Sequence, residues 1–413
     1  MQRKILSICL VLNSIVFIRT CQGQLRLSVE DAVNRALESR ASLKAEAERI
    51  KVAEGARTQA RLRPNPEFQF QNENLRPGQT YGRDVDTLAM INQQLDILGK
   101  RPARIAAADQ TVELTAADYE SAKWRVALRV RSAYWAARGL RETHDILQTT
   151  ADAFQKTVDF HAARFSTGAI AEQDLLRVRL EQERLKISAE TAGIEANHAV
   201  IDLLKEMGQT DFPEVVLTAP LTVASPPEIP AVNQVLAQRA DVRSARAAVQ
   251  QAVANARVQD VAARPDLNLT AGYKRTQLPD TTNGVNTAMV SVRITLPVID
   301  KNQGNRAAAE AEVRRAEQQL VAIENEIRAD YMGAVQELRL RQREFETMLT
   351  PLREHAATIS EIANAAYEQG GVDLLRFLDA ERTRLDAELA WTRGMIEYRQ
   401  SIVRLEAVEG VRP

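Results

Sequence analysis

Cysteine is nearly absent from this 413-residue chain: Cys9 and Cys21 are the only two. Beyond residue 21 neither a disulfide nor a thiolate metal site is open to it. Aromatics make up only 5% of the residues, so any core must be built from small aliphatic side chains. Neither sign of charge dominates, with 54 Lys and Arg against 55 Asp and Glu, which excludes the basic footprint of a nucleic-acid binder. The longest mainly apolar run, Ile5 to Ile18, falls short of the about 20 residues that span a bilayer as a helix. Catalytic signatures are missing too. There is no nucleophile elbow, phosphate-cradling glycine loop or HExxH. His144, His161, His198 and His355 do not fall at spacings that complete a three-ligand metal set, and surface or helix-seam positions are expected for them. Neither enzymatic activity nor a cofactor is expected.

What is present begins with a cationic "MQRK" ahead of the short apolar run and small residues near Cys21-Gln22-Gly23. That order reads as an export signal over residues 1–23 rather than an anchor. Ile18-Arg19-Thr20 fits poorly before a lipid-acceptor cysteine, so lipidation of Cys21 is not expected. The rest of the chain repeats itself. "AVNRALESRA" from Ala32 returns as "AVNQVLAQRA" from Ala231, and Pro66-Glu67-Phe68 as Pro265-Asp266-Leu267. "QLDILGKR" falls on "TLPVIDKN", and "FSTGAIAEQDLL" on "YEQGGVDLLRFL". Four landmarks of different character in one order indicate a tandem duplication: 24–208, a proline-rich link 209–228, and 229–410.

Each repeat reads helix, strand, strand, long helix, helix. Periodicity predicts a helix from Ser28 to Arg63, stopped by Pro64 and Pro66, then a β-hairpin at about 66–97. The next helix, Lys100 to Phe165, has no breaker and at 1.5 Å per residue would be roughly 100 Å long. Gly168 interrupts it, and a further helix runs from Ala171 to Met207. The second repeat predicts a helix over 229–263, a hairpin over 266–298, and a helix from Gln303 to Tyr367. A single seam runs along that helix through Leu320, Ile327, Leu338, Phe345, Leu352 and Ile359, and Pro351 should kink it. Gly370-Gly371 ends it, and Asp373 opens the last helix, to about Glu409. Gly168 and Gly370 read most simply as left-handed helix caps, and Asp373 as an N-cap. Both glycines also mark the tips of helical hairpins.

The hairpins carry the functional reading. Along Val285–Val298, Ala288, Val290, Val292, Ile294 and Leu296 alternate with Met289, Ser291, Arg293 and Thr295. A half-buried sheet alternates in this way. In an exported chain, strands of this length also suit a membrane-spanning barrel. A sheet in lipid cannot keep open edges, and four strands are too few to close a barrel. Several copies are therefore expected to share one.

"RPNPEFQFQNENL", "QQLDILGKR", "LPVIDKNQGNRAAAEAEV" and the paired turns "FSTGAIAEQDLL" and "AYEQGGVDLLRFLDAERTRL" resemble the TolC-type outer-membrane efflux proteins. They look most like the heavy-metal, cobalt–zinc–cadmium branch. The resemblance covers nearly the whole chain after the export signal. It implies a mainly α fold with a small β part: a homotrimer with a 12-stranded barrel in outer-membrane lipid, continuous with a periplasmic α-helical barrel. Such a duct passively conducts cargo, here with divalent metal cations as a candidate, delivered by an inner-membrane pump of RND type through a periplasmic adaptor (membrane fusion) protein. It also implies a constriction near the tips built from acidic rings and tyrosine-centred hydrogen bonds. Tyr367 and Asp379 match that pattern, with Asp174 at a comparable place in the first repeat and Asp373 beside them. Arg376 and Val372 depart from it, so an Arg376–Asp379 pair is the expected closing contact. The tips themselves, Thr167-Gly168-Ala169 and Gly370-Gly371-Val372, are the expected adaptor contacts.

Two other readings fit part of the sequence. An exit duct for type I protein secretion would share the conduit and differ in its pump. A structural periplasmic coiled-coil protein would explain the helices but not the four alternating strands.

Overall fold

The computed structural model describes residues 25–78, 80, 84–222, 227–278 and 284–410; the expected export signal lies outside them. The chain opens with β1 (Leu25–Leu27), α1 (Val29–Ser39) and α2 (Ala41–Arg61), followed by β2 (Glu67–Glu73) and β3 (Asp86–Leu95). The first helical hairpin is α3 (Lys100–Ser166) and α4 (Glu172–Glu206). After β4 (Val215–Leu217) the order returns: α5 (Val232–Gln238), α6 (Ala240–Ala262), β5 (Leu267–Thr276) and β6 (Val285–Ile294). The second hairpin is α7 (Gln303–Glu344), a π-turn (Phe345–Leu349), α8 (Thr350–Glu368) and α9 (Leu374–Glu409). No helix among the described residues is long and apolar enough to cross a membrane.

Two expected helices are each broken in the middle. Arg40 and Arg239, 199 positions apart, take extended backbone and divide α1 from α2 and α5 from α6. Tertiary contacts hold both breaks. The Arg40 guanidinium donates to the Glu206 carbonyl and, at 3.0 Å, to the Glu206 carboxylate. Arg239 donates to the Val408 carbonyl at 2.9 Å and clasps Asp241. In both repeats an arginine thus ties the first helix pair to the end of the returning helix. Gly208 and Gly410 follow those helix ends at φ of 75° and 73°, a left-handed turn that suits glycine.

Pro351 does not break its helix. It sits at the start of α8, directly after the π-turn. Proline clashes with the carbonyl four residues earlier, and a wider turn relieves the clash. One extra residue per turn also rotates the helix surface. The expected seam is accordingly divided: Ile327, Leu338 and Phe345 are buried, whereas Leu352 and Ile359 are exposed.

The two β-hairpins join through β3 and β5 into one antiparallel sheet of order β2-β3-β5-β6. β6 ends at Ile294, short of the expected Val298. Register settles which residues share a face. Phe68, Ile91, Ala271 and Val290 form one cross-strand row, and Phe70, Ala89, Tyr273 and Ala288 the next. The opposite face carries Glu67, Asn92, Thr270 and Ser291 in one row, and Gln71, Leu88, Lys274 and Thr287 in another. Apart from Gln93, one face is apolar up to a polar row of Asn72, Thr87, Arg275 and Asn286 at one end; the other face is mostly polar. The outer edges of β2 and β6 are unpaired in the sheet.

Three hydrophobic clusters hold the helices. One surrounds Tyr134, whose hydroxyl donates to the Leu27 carbonyl at 2.9 Å and accepts from Ala219 N. A second, around Tyr331, Leu338 and Leu405, plays the same part in the second repeat. The third joins the two hairpins near their tips through Phe154, Val178, Leu185, Phe377 and Leu378.

Candidate functional site

The two tips have the same geometry. Gly168 N donates to the Phe165 carbonyl and Ala169 N to the Arg164 carbonyl, both at 2.9 Å. Gly370 N donates to the Tyr367 carbonyl and Gly371 N to the Ala366 carbonyl, at 3.0 and 2.7 Å. Paired bonds of this kind, with glycine at a φ of 74° in both, form Schellman motifs that satisfy the last helical carbonyls. Thr167, Ala169, Gly370, Gly371 and Val372 lie at or next to the exposed turns. Asp373 caps α9, its carboxylate accepting from Arg376 N at 2.9 Å.

Tyr367 reaches across from the second hairpin to the first. Its hydroxyl lies 2.7 Å from His161 Nε2, and His161 Nδ1 lies 2.7 Å from the Thr157 carbonyl. A carbonyl only accepts, so Nδ1 carries the proton. In the neutral ring Nε2 then accepts from the tyrosine O–H. The Tyr367 ring stacks on His161 at 5.8 Å and on Phe377 at 5.0 Å. Burial pushes the Tyr367 hydroxyl pKa up; the Arg164 charge opposes this and the Asp174 charge adds to it. Asp174 thus acts on Tyr367 through its charge, whereas the groups that touch the Tyr367 side chain are His161 and Phe377. His161, which the structure adds, is fully buried. Only the spacing of a lone histidine seven residues before Gly168 hinted at that role in the sequence.

Arg376 and Asp379 stand on the neighbouring wall. They line one groove of about 490 Å³ with Asp373, Arg177, Glu181 and Arg382. The expected Arg376–Asp379 pair does not form: no ion pair joins them among the described residues. The charge contact that does link the hairpins here is Arg382 with Glu181. Glu181 is buried on α4 and Arg382 lies one turn beyond Asp379, so it has the better-desolvated partner. Among the described residues no cluster of three or more acidic or imidazole groups gathers as a metal site.

Long helical hairpins joined end to end with an unclosed, two-faced sheet define the class of outer-membrane channel subunits. The chain belongs to the outer membrane efflux protein family, whose sequence profile matches residues 32–209 and again 231–411. It is similar to the cobalt-zinc-cadmium resistance protein CzcC of Cupriavidus metallidurans, at 26% identity, covering 96% of this chain and 92% of that one. It is also similar to the cation efflux system protein CusC of Escherichia coli K12, at 24% identity over 75% of this chain and 69% of that one. Among solved structures it shares its fold with the Campylobacter jejuni outer-membrane channel CmeC, with a TM-score of 0.75, 18% identity and coverage of 92% and 85%. A Pseudomonas aeruginosa membrane protein gives a TM-score of 0.76 at 19% identity, covering 92% of both chains. The protein is thus an outer-membrane efflux channel that extends into the periplasm, and not an enzyme.

Proposed function

We propose that the chain is the exit duct of a tripartite efflux system, passing cargo that an inner-membrane pump of RND type delivers through a periplasmic adaptor protein. In this reading three copies contribute twelve strands to one barrel, and their helices continue it as a periplasmic tunnel. Residues 1–23 are an export signal, 24–208 and 229–410 are the repeats, and 209–228 link them. The observation that carries it is the register of the sheet, apolar rows on one face and mostly polar rows on the other, with two open edges. An unpaired backbone group costs several kcal/mol in lipid, so a sheet of this kind in the outer membrane closes with other copies.

The tunnel narrows at the tips in this reading. Tyr367, Asp174, Asp373, Arg376 and Asp379 form the periplasmic gate, and the turns 167–169 and 370–372 meet the adaptor. The exposed, identically capped turns and the charged groove beside them support this placement. Divalent metal cations are the proposed cargo, because the relatives named above are a cobalt-zinc-cadmium resistance protein and a cation efflux protein.

The mass of the detergent-corrected particle tests the assembly. A trimer is expected, and a stable water-soluble monomer would overturn the barrel. Cargo is tested by deleting the gene and comparing growth on cobalt, zinc and cadmium with growth on dyes and detergents. Sensitivity confined to dyes and detergents would overturn the metal assignment.

A further inference from the structure

Every junction between the sheet and its flanking helices lies at one end of the sheet. β2 starts at Glu67 opposite Asn92, β5 starts at Leu267 opposite Leu95, and β6 ends at Ile294 opposite Leu267. The apolar face does not stop there. Beyond its last row of Leu95, Leu267 and Ile294, the junctions add Leu62, Ile97, Leu98, Leu296, Val298 and Ile299. All six are exposed, Ile299 by 90%.

Each repeat sets basic residues directly against this apolar belt. Arg63 and Arg264 each precede a proline where the chain enters the sheet, and Lys100-Arg101 and Lys301 follow Leu98 and Ile299 where it leaves. Residues 61–64, 96–104, 260–266 and 296–306 together hold eight Lys or Arg against four Asp. Half of the eight are neutralised. Lys100 pairs with Asp266 at 2.7 Å and Arg306 with Asp260 at 2.9 Å; Arg104 and Arg61 meet Asp96 and Asp109 at 3.4 Å.

The other four keep their charge. Arg101 and Arg264 donate to the Arg61 and Leu98 carbonyls at 2.6 and 2.7 Å, bonds that position a guanidinium without neutralising it. Arg63 and Lys301 are exposed, and among the described residues no ion pair engages either side chain. Against these four, Asp300 is the one acid of the junctions without a basic partner among the described residues; it accepts from Asn302 N. The far end of the sheet differs. Among the described residues of 72–76, 84–87 and 274–277, Glu73, Asp84 and Asp86 balance Arg76, Lys274 and Arg275. The excess of positive charge therefore belongs to the helix end alone.

Gathered like charges repel one another, and an anion lying among them turns that cost into attraction. Lys and Arg beside an apolar band also reach from it to the level of lipid headgroups. We infer that this belt binds anionic phospholipid of the periplasmic leaflet. The acyl chains lie along Ile97, Leu296 and Val298, and the headgroup phosphates lie along Arg63, Arg101, Arg264 and Lys301. The inference rests on the membrane barrel proposed above. The leaflet follows from the direction of the long helices, which leave the sheet at this end and extend into the periplasm. A zwitterionic lipid would match the apolar belt but not the excess charge. A lipid of net negative charge matches both.

Native mass spectrometry of the full-length protein released from detergent reads particle mass and bound lipid together. Titrated with phosphatidylglycerol and phosphatidylethanolamine of the same acyl chains, the wild type should hold phosphatidylglycerol more tightly. Arg63→Gln with Lys301→Gln removes two charges that neutralise nothing in the described chain. It should weaken phosphatidylglycerol by about fivefold per charge and leave phosphatidylethanolamine unchanged. Arg63→Lys with Lys301→Arg should bind as the wild type does. Equal affinity of the wild type for the two lipids, or an undiminished preference in the glutamine variant, would overturn the inference. Displacement of bound phosphatidylglycerol by inorganic phosphate would show a phosphate site rather than a lipid surface, and would overturn it too. At the mass of a trimer each of these outcomes leaves the barrel standing. A stable water-soluble monomer would overturn both.

Discussion

His161 Nε2 and the Tyr367 hydroxyl lie 2.7 Å apart across 206 residues of sequence, and they join the two helical hairpins just above their tips. The bond is nearly dry, since His161 is fully buried. One such bond contributes only about 0.5–1.5 kcal/mol net, too little to hold a pore shut alone. In the trimer and gate proposed above, three such bonds would reach roughly 2–4 kcal/mol on the same basis, enough to hold the gate yet still breakable by a docking partner.

The gate prediction follows from that pairing. Tyr367→Phe and His161→Leu should each raise single-channel conductance in planar bilayers without loss of trimer. The double variant should conduct no more than either single one, because both remove the same bond. His161→Gln keeps an acceptor in reach and should stay close to wild type. Additive effects in the double variant would place the gate elsewhere.

A second prediction concerns the sheet faces. Val292 shares a row with Leu269 on the apolar face, and Arg293 pairs with Asn268 on the polar one. An arginine on the lipid face near the membrane midplane costs about 2–4 kcal/mol. Val292→Arg should therefore sharply reduce assembled trimer in outer membranes, and Arg293→Val should not. Equal yields from the two would argue against the assignment of faces.

The arginine ties make a third. Arg239 is buried, binds Asp241 and the Val408 carbonyl, and lies over the Trp124 ring at 4.8 Å. Hydrogen bonds to charged groups contribute about 1.5–3 kcal/mol. Arg239→Ala should lower the thermal midpoint by several degrees, measured by circular dichroism. Arg40→Ala, at a more exposed copy of the same tie, should lower it less. The reverse order would show that burial does not set the strength of these ties.

Stability should also depend on pH through Glu409. Its carboxyl is buried, no described group donates to its Oε1, and burial, helped by the Glu406 charge, pushes its pKa up to about 7. A carboxyl whose folded pKa lies above its unfolded value binds more protons folded than unfolded. Stability then falls as pH rises from about 4.5 toward 7, and the loss is complete above that window. Glu409→Gln should raise the thermal midpoint at pH 8 and leave it nearly unchanged at pH 4.5. An equal gain at both would show that the carboxyl is ionised throughout.

Local pattern determined much of this protein by itself. The periods of 3.5 and 2, the glycines at the tips and the repetition across about 200 residues place the helices, strands and turns, because each depends on neighbours a few positions away. Tertiary structure alone decided the rest. Arg40 and Arg239 lie inside periodic stretches and break them only because carbonyls 166 and 169 residues away accept their guanidinium protons. The π-turn ahead of Pro351 turns half of one seam outward, so that Leu352 and Ile359 are exposed rather than buried. His161 looks like any seam histidine until the second hairpin brings Tyr367 beside it, and Arg376 and Asp379, neighbours in sequence, do not pair. Which groups meet across the fold depends on how the two repeats pack together, and no window of sequence contains that distance.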